Sequence, residues 1–412
     1  VTGGYEVVEM HGTEVSPDPP GCPVIELAAP GERPVGEWIR YYSALRDAGP
    51  VYWNSNGGWW VLTRADDVRR VLQDPETFSS ASISAAQPDP DWKWIPGNID
   101  PPLHIAYRQI LNRRFAPAAV ASMEPAARVY ARRTIDEVEA RGGCDIMADV
   151  AGIFPTRVFM ETVGLPWEEA PRFVRYSDTI FDGLFGINGM TQADAVGAMA
   201  EIREYFAAEM AERRRTPRDP AGDFLTHVMG STVGGEPISD DDVLNIFNQL
   251  VLAGLDTVKS QLGYAFFHLA THPEDRRWIV REPAIIPRAV EELLRGYPLI
   301  VDGRKLARDV EFLGCPMKRG QMVQVTLLSA VRDPSVVERA DEIILDRGRN
   351  AHLAFGAGPH RCLGSHLARM EMAVLLDEWH RRIPEYRLAV DPGEIVERGG
   401  QLSLRNLPVV WA

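Results

Sequence analysis

Residues 239 to 271 constrain the fold more than any other stretch of this 412-residue chain. They open on Ser239-Asp-Asp-Asp242, a capping residue followed by acids that suit a helix N-terminus. They then run through Leu250-Val-Leu-Ala-Gly-Leu255 in a middle that is nearly all apolar. A helix apolar all round cannot lie on a surface, so it must pass through the core with other elements packed about it. Within it, Gly254 costs about 1 kcal/mol relative to alanine and calls for a reason. One reason is a Thr257 hydroxyl bonded to the Ala253 carbonyl, bending the helix and opening space for a small molecule beside Asp256. A contact between helices at a small residue, with Asp256 solvated at a kink, fits the same letters.

A second stretch, Phe355-Gly-Ala-Gly-Pro-His-Arg-Cys-Leu-Gly364, sets one cysteine between a glycine turn and helix-forming Ser365-His-Leu-Ala-Arg-Met-Glu371. A sulfur at a helix N-terminus sits near unpaired N–H groups and the positive end of the helix dipole. There it can stay deprotonated and share charge with a metal. The glycines let the backbone pass close to something large and flat. A haem with Cys362 as its fifth ligand meets these demands, and a buried free cysteine beside a turn is the plainer alternative.

The remainder is ordinary for a globular protein, with 45% hydrophobic and 25% charged residues. A formal charge of −14 argues against nucleic acid as a partner. Cys22, Cys144, Cys315 and Cys362 are scattered with no C-x-x-C pair, so neither a disulfide framework nor a zinc site is expected. A cytoplasmic protein is expected, since neither a signal peptide nor an 18-residue apolar run occurs. Residues 1–33 read as an irregular arm and 34–412 as one domain. Trp38 to Ala48 reads as a helix, and Val51 to Thr63 as a hairpin turning at Asn56-Gly57. A long loop, 80–102, ends at Asp100-Pro-Pro102 as a helix start. Short strands follow Tyr297, an irregular stretch precedes Phe355, and a β-segment closes the chain at Leu407–Trp411. The fold class is mainly α with a small β region.

With Glu292-Leu-Leu-Arg295 added, a carboxylate and a guanidinium one helical turn apart, the chain resembles the cytochrome P-450 family of haem-thiolate monooxygenases. The cysteine loop matches that family's haem signature, Ala253-Gly-Leu-Asp-Thr257 its oxygen-binding helix and Glu292/Arg295 its Glu-x-x-Arg pair. Leu252-Ala-Gly-Leu-Asp-Thr-Val258, Val301-Asp-Gly-Arg304 and Leu407-Pro-Val-Val-Trp411 are similar to the soluble bacterial branch that includes the camphor hydroxylase. The resemblance implies a single triangular domain with the long helix over haem b and Cys362 as the iron ligand. It implies His104, Arg108, Arg304 and His360 on the haem propionates and Asp256 and Thr257 relaying protons. Glu292 and Arg295 become structural, paired near Arg347 or Arg349.

By the same resemblance Trp92, Trp94, Gln249, Ala253, Ile300 and Leu402 line a substrate pocket. Trp92 would offer an indole N–H to a ketone, ether or alcohol, and Lys93 would point away from its neighbours. A neutral, mostly apolar substrate such as a monoterpenoid is expected, with aromatic ethers or fatty acids as alternatives. Electrons would come from an iron–sulfur ferredoxin and its reductase, docked at Arg113, Arg114 and Arg361. A monomer off the membrane is expected. A peroxide-driven enzyme, or a haem-thiolate protein that binds without turnover, are competing readings.

Overall fold

A computed structural model describes residue 19, residues 21–90 and residues 92–412. The long helix spans Asp240–Thr271 and is continuous, with Ser239 Oγ accepting the Asp242 N–H at 3.1 Å. His272 ends it, and Pro273 opens the next helix, Pro273–Arg281, where a missing N–H costs nothing. Helices Ile153–Val163, Ala170–Phe185 and Gln192–Arg215, the turn Ile146–Ala151 and strand Ser403–Leu404 all pack on it. Phe247, Val251, Leu262 and Phe266 are fully buried along its length. Each contributes about 1.5–3 kcal/mol through the area it removes from water.

The largest sheet runs in the order Val24–Ile25, Val51–Asn54, Trp59–Leu62, Met322–Thr326, Val301–Leu306, Phe78–Ser79. Val51–Asn54 and Trp59–Leu62 form the expected hairpin, in register Trp53 to Trp60. Antiparallel pairing of Val323 with Arg304 carries that arginine into the core from the neighbouring strand. A three-stranded sheet joins Ser403–Leu404, Val396–Arg398 and Glu32–Pro34, which ties the closing hairpin to the N-terminal region. Helix Ser365–Arg382, which follows the cysteine loop, packs on Pro117–Asp136 and Ile286–Gly296.

Three expectations are corrected. The described part of the arm is not irregular: Val24–Ile25 and Glu32–Pro34 are strands paired with distant partners, while residues 1–18 and Pro20 lie outside the described residues. Cys22 and Cys315 are joined in a disulfide across 293 residues of sequence. Spacing along a chain carries no information about a bridge of that span, and the cysteine count no longer argues for a reducing compartment. The helix expected at Asp100-Pro-Pro begins at Leu103. Asp100 is not its cap; its carboxylate accepts the Ser79 hydroxyl and, at 2.8 Å, the Ser80 N–H. Among the described residues no helix is long and apolar enough to cross a membrane.

Candidate active site

The cysteine loop is a tight glycine turn. Gly356 and Gly358 have φ of +67° and +69°, and a side chain at 358 would overlap the Leu72 carbonyl. The Cys362 N–H donates to Phe355 O at 2.9 Å, closing the turn. Although protein surrounds it, Cys362 keeps exposed surface, so it faces an internal space. Burial pushes its thiol up, while the Gly364 N–H and the cations of Arg108, Arg361 and Arg369 pull it down. A sulfur so flanked loses its proton outright once a metal binds it.

Beside it lies a cluster of donors lacking acceptors. The rings of His104 and His360 are 4.0 Å apart. Both nitrogens of His104 and Nε2 of His360 are buried with no partner. Burial, and the cations near them, push His104 down to about 4 and His360 to about 3, so both rings are neutral. Arg108 lies close enough to act on His104, His360 and Cys362, and Arg304, 3% exposed, acts on His360. One Arg304 nitrogen bonds Asp302 Oδ2 at 2.8 Å. Buried donors left unsatisfied are costly, and a cluster of them calls for an anion. The two propionates of a haem, with its iron at Cys362, fit this set.

On the long helix, Thr257 Oγ1 donates to Ala253 O at 2.7 Å, as the sequence predicts. Ala253 is exposed in a helix otherwise buried around it, so this turn also borders open space. Of the two readings of Gly254 the helix contact holds: a Cβ there would lie 2.9 Å from the Phe159 ring, so close helix packing favours glycine. Asp256 is not solvated. It is fully buried, its Oδ2 paired with Arg398 and bonded by Gln401 Nε2 at 2.7 Å, while Oδ1 has no partner. Arg398 also lies 3.8 Å from Asp182. Sequence reading missed both Arg398 and Gln401 as partners of Asp256, because nothing local marks a pairing across 142 residues.

Glu292 and Arg295 are both fully buried. Glu292 takes two bonds from Arg295 at 2.8 and 2.9 Å, one from Arg347 at 2.9 Å, one from Asn350 at 3.0 Å and one from the Ile344 N–H at 2.9 Å. Arg295 reaches Ala340 O and Glu342 O, each at 2.7 Å. Of the two expected partners it is Arg347 that pairs; Arg349 is exposed. The adjacent Glu291 grips the cysteine helix through Arg369 at 2.9 Å and bonds His352 at 3.1 Å. These hydrogen bonds overcome burial and pull Glu291 down to about 2.

Around loop 80–102, the rings of Trp92 and Trp94 lie 6.0 Å apart and pack on the core, while Lys93 is exposed. Of these two indole N–H groups, the one buried without an acceptor is that of Trp94, not Trp92. Gln249 does not stand free: its Oε1 accepts the Gly97 N–H at 2.9 Å and pins this loop to the long helix. Leu402 is buried, its N–H bonded to Leu299 O at 2.9 Å, and Ile300 packs beside it on the core. Arg114, expected as part of a dock, donates to Thr162 O at 2.9 Å and Glu161 O at 3.1 Å, capping the end of Ile153–Val163.

A family model described as cytochrome P450 matches residues 168–282 and 284–397. A probable cytochrome P450 127A1 of Sinorhizobium fredii is 35% identical, over 89% of this chain and 88% of its own. The mycinamicin IV hydroxylase/epoxidase of Micromonospora griseorubida is 32% identical, over 85% and 89%. The crystal structure of CYP101J2 superposes with a TM-score of 0.86 at 30% identity, covering 97% of this chain and 100% of that one. A sulfur facing an internal space beside a cluster of donors without an acid, in a chain with these relatives, has one explanation: it belongs to the cytochrome P450 family, binds haem b and is a haem-thiolate monooxygenase.

Proposed function

We propose that this enzyme inserts one oxygen atom of dioxygen into a C–H bond of a compact, neutral, mostly apolar molecule of monoterpenoid size, with electrons from a separate ferredoxin. The observation that carries the substrate class is the placement of charge. Lys93 is turned outward from the tryptophan loop, and Arg108, Arg304, His104 and His360 are gathered where propionates would use them. The remaining wall, Trp92, Trp94, Ala253 and Ile300, keeps aromatic and aliphatic surface, which holds a small apolar ligand by area alone, while Leu402 is buried behind it.

Bound through Cys362, haem supplies the reduction of dioxygen and the transfer of one oxygen atom to carbon. The protein's share is positional. His104, Arg108, Arg304 and His360 hold the propionates, and the Gly364 N–H steadies the sulfur. Thr257 presents its hydroxyl oxygen at the open turn of the long helix while its O–H donates to Ala253 O. The oxygen of Asp256 placed to pass a proton is Oδ1, the one left without a partner. Loop 80–102, pinned by Gln249, excludes water.

The test is a titration of the ferric holoenzyme with monoterpenoid ketones and ethers, aromatic ethers and fatty acids, reading the shift of iron spin state. The proposal expects terpenoids to give the largest shift at the lowest concentration. A response confined to fatty acids, which carry a carboxylate this wall does not pair, would contradict it.

A further inference from the structure

One carboxylate ties together the two ends of the cysteine loop. Arg369, on the helix that follows the loop, donates through Nε and Nη2 to the two oxygens of Glu291, the second at 2.9 Å. Its remaining nitrogen, Nη1, donates to Ser365 O at 3.0 Å, so the guanidinium is fixed on every side. The group lies 4.3 Å over the Phe355 ring, and Phe355 O accepts the Cys362 N–H at 2.9 Å. Ahead of the turn, His352 Nδ1 accepts the Ala354 N–H at 3.2 Å, which leaves Nε2 to donate to Glu291 Oε2 at 3.1 Å. Burial opposes the charge of Glu291, yet these bonds hold it down to about 2, so it is ionised at neutral pH. Of the three arginines whose cations act on Cys362, Arg369 is the one paired with a carboxylate among the described residues.

We propose that Glu291 is a positioning residue that fixes Arg369 against Phe355 and cancels most of its charge, and so sets the potential at which iron held by Cys362 accepts an electron. Accepting one electron adds negative charge at the iron and its sulfur. A bare cation nearby would favour that state and draw density from the sulfur, and a bare anion would oppose it. The pair presents neither, which keeps the sulfur a strong donor while its loop is held at both ends. Both side chains keep about a quarter to a third of their surface in solvent, 26% for Arg369 and 30% for Glu291, so each charge acts through a screened field. The proposal rests on Cys362 as the iron ligand and is independent of the substrate.

The experiment compares the substrate-free holoenzymes of the parent, Glu291→Gln, Arg369→Gln, Arg369→Lys and the double variant Glu291→Gln/Arg369→Gln. Each is titrated with dithionite in the presence of redox dyes, which supplies one electron per iron, and the spectrum of the reduced protein under carbon monoxide is then recorded. Glu291→Gln should shift the equilibrium about threefold toward ferrous iron, and Arg369→Gln about threefold toward ferric. The double variant should return close to the parent, and Arg369→Lys, which keeps the charge, should lie nearer the parent than Arg369→Gln. A merely structural role would loosen the loop in both single variants, moving both potentials one way and the double variant at least as far. Shifts of one sign, or parental potentials in both single variants, would overturn the proposal. If Glu291→Gln loses the thiolate band, the two Arg369 variants decide, and equal potentials in them would overturn it. A parent without the thiolate band would overturn it together with the assignment of Cys362, a failure that this spectrum tells apart from the others.

Discussion

Gly358 is the residue on which the sulfur's placement turns most directly. Its backbone is left-handed and its missing side chain makes room for the Leu72 carbonyl, so alanine there is opposed twice. Gly358→Ala should bind well under half of the parental haem per chain, measured by absorbance against protein concentration; full occupancy would contradict the turn described. Gly254 is a milder case, since the Cβ of an alanine meets a ring edge that can shift. Gly254→Ala should cost about 1–3 kcal/mol in urea unfolding, and Phe159→Leu in the same chain should return much of it. If the second change returned nothing, packing against Phe159 would not be why glycine stands there. The same residue shows where sequence reading stops. A contact between helices was one of two readings of that mid-helix glycine, but which ring it meets lies on another helix and has no local signal.

At the level of elements, the grip of helix Ile286–Gly296 on the irregular stretch before the cysteine loop rests on one fully buried carboxylate. Glu292 accepts from Arg295, Arg347, Asn350 and Ile344. Glu292→Gln keeps the shape but strands two guanidinium groups, so a loss of about 3–5 kcal/mol is expected. Unfolding of the variant and its parent by urea, with haem release read alongside, checks this; a loss under about 1 kcal/mol would mean the pair is incidental. Helices and the hairpin were legible because periodicity and Asn56-Gly57 are local signals. Strands Val24–Ile25 and Glu32–Pro34 were not, because two- and three-residue strands acquire meaning only from the partners they meet. The histidine and arginine cluster was readable through family likeness alone, since His104, Arg108, Arg304 and His360 come from three separate parts of the chain. Arg398 had no such pointer.

Across the whole molecule, Glu397 joins three regions. It accepts the Gly36 N–H at 2.9 Å, the Trp38 N–H at 3.4 Å and the Tyr264 hydroxyl at 2.6 Å. Burial pushes it up to about 7, against the hydrogen bonds and the Arg40 cation that pull it down. The folded chain therefore holds this proton more tightly than the unfolded one. The stability it confers is complete below about pH 4.5 and is lost as pH rises to about 7, a change of about 3 kcal/mol. His380, pushed down to about 4 by burial, acts in the opposite sense between pH 4 and 6.5, so parent and variant must be compared at each pH. Glu397→Gln should gain on its parent as pH rises across that window; a constant difference would show that Glu397 does not titrate there.

The central claim is that one sulfur, Cys362, holds the iron. The absorption spectrum of the dithionite-reduced holoenzyme under carbon monoxide tests it most directly. The account predicts the far red-shifted Soret band of a thiolate-bound haem in the parent, and its loss in Cys362→Ala even where haem is retained. A Cys362→Ala protein that kept that band, or a parent with the band of a nitrogen-bound haem, would contradict it.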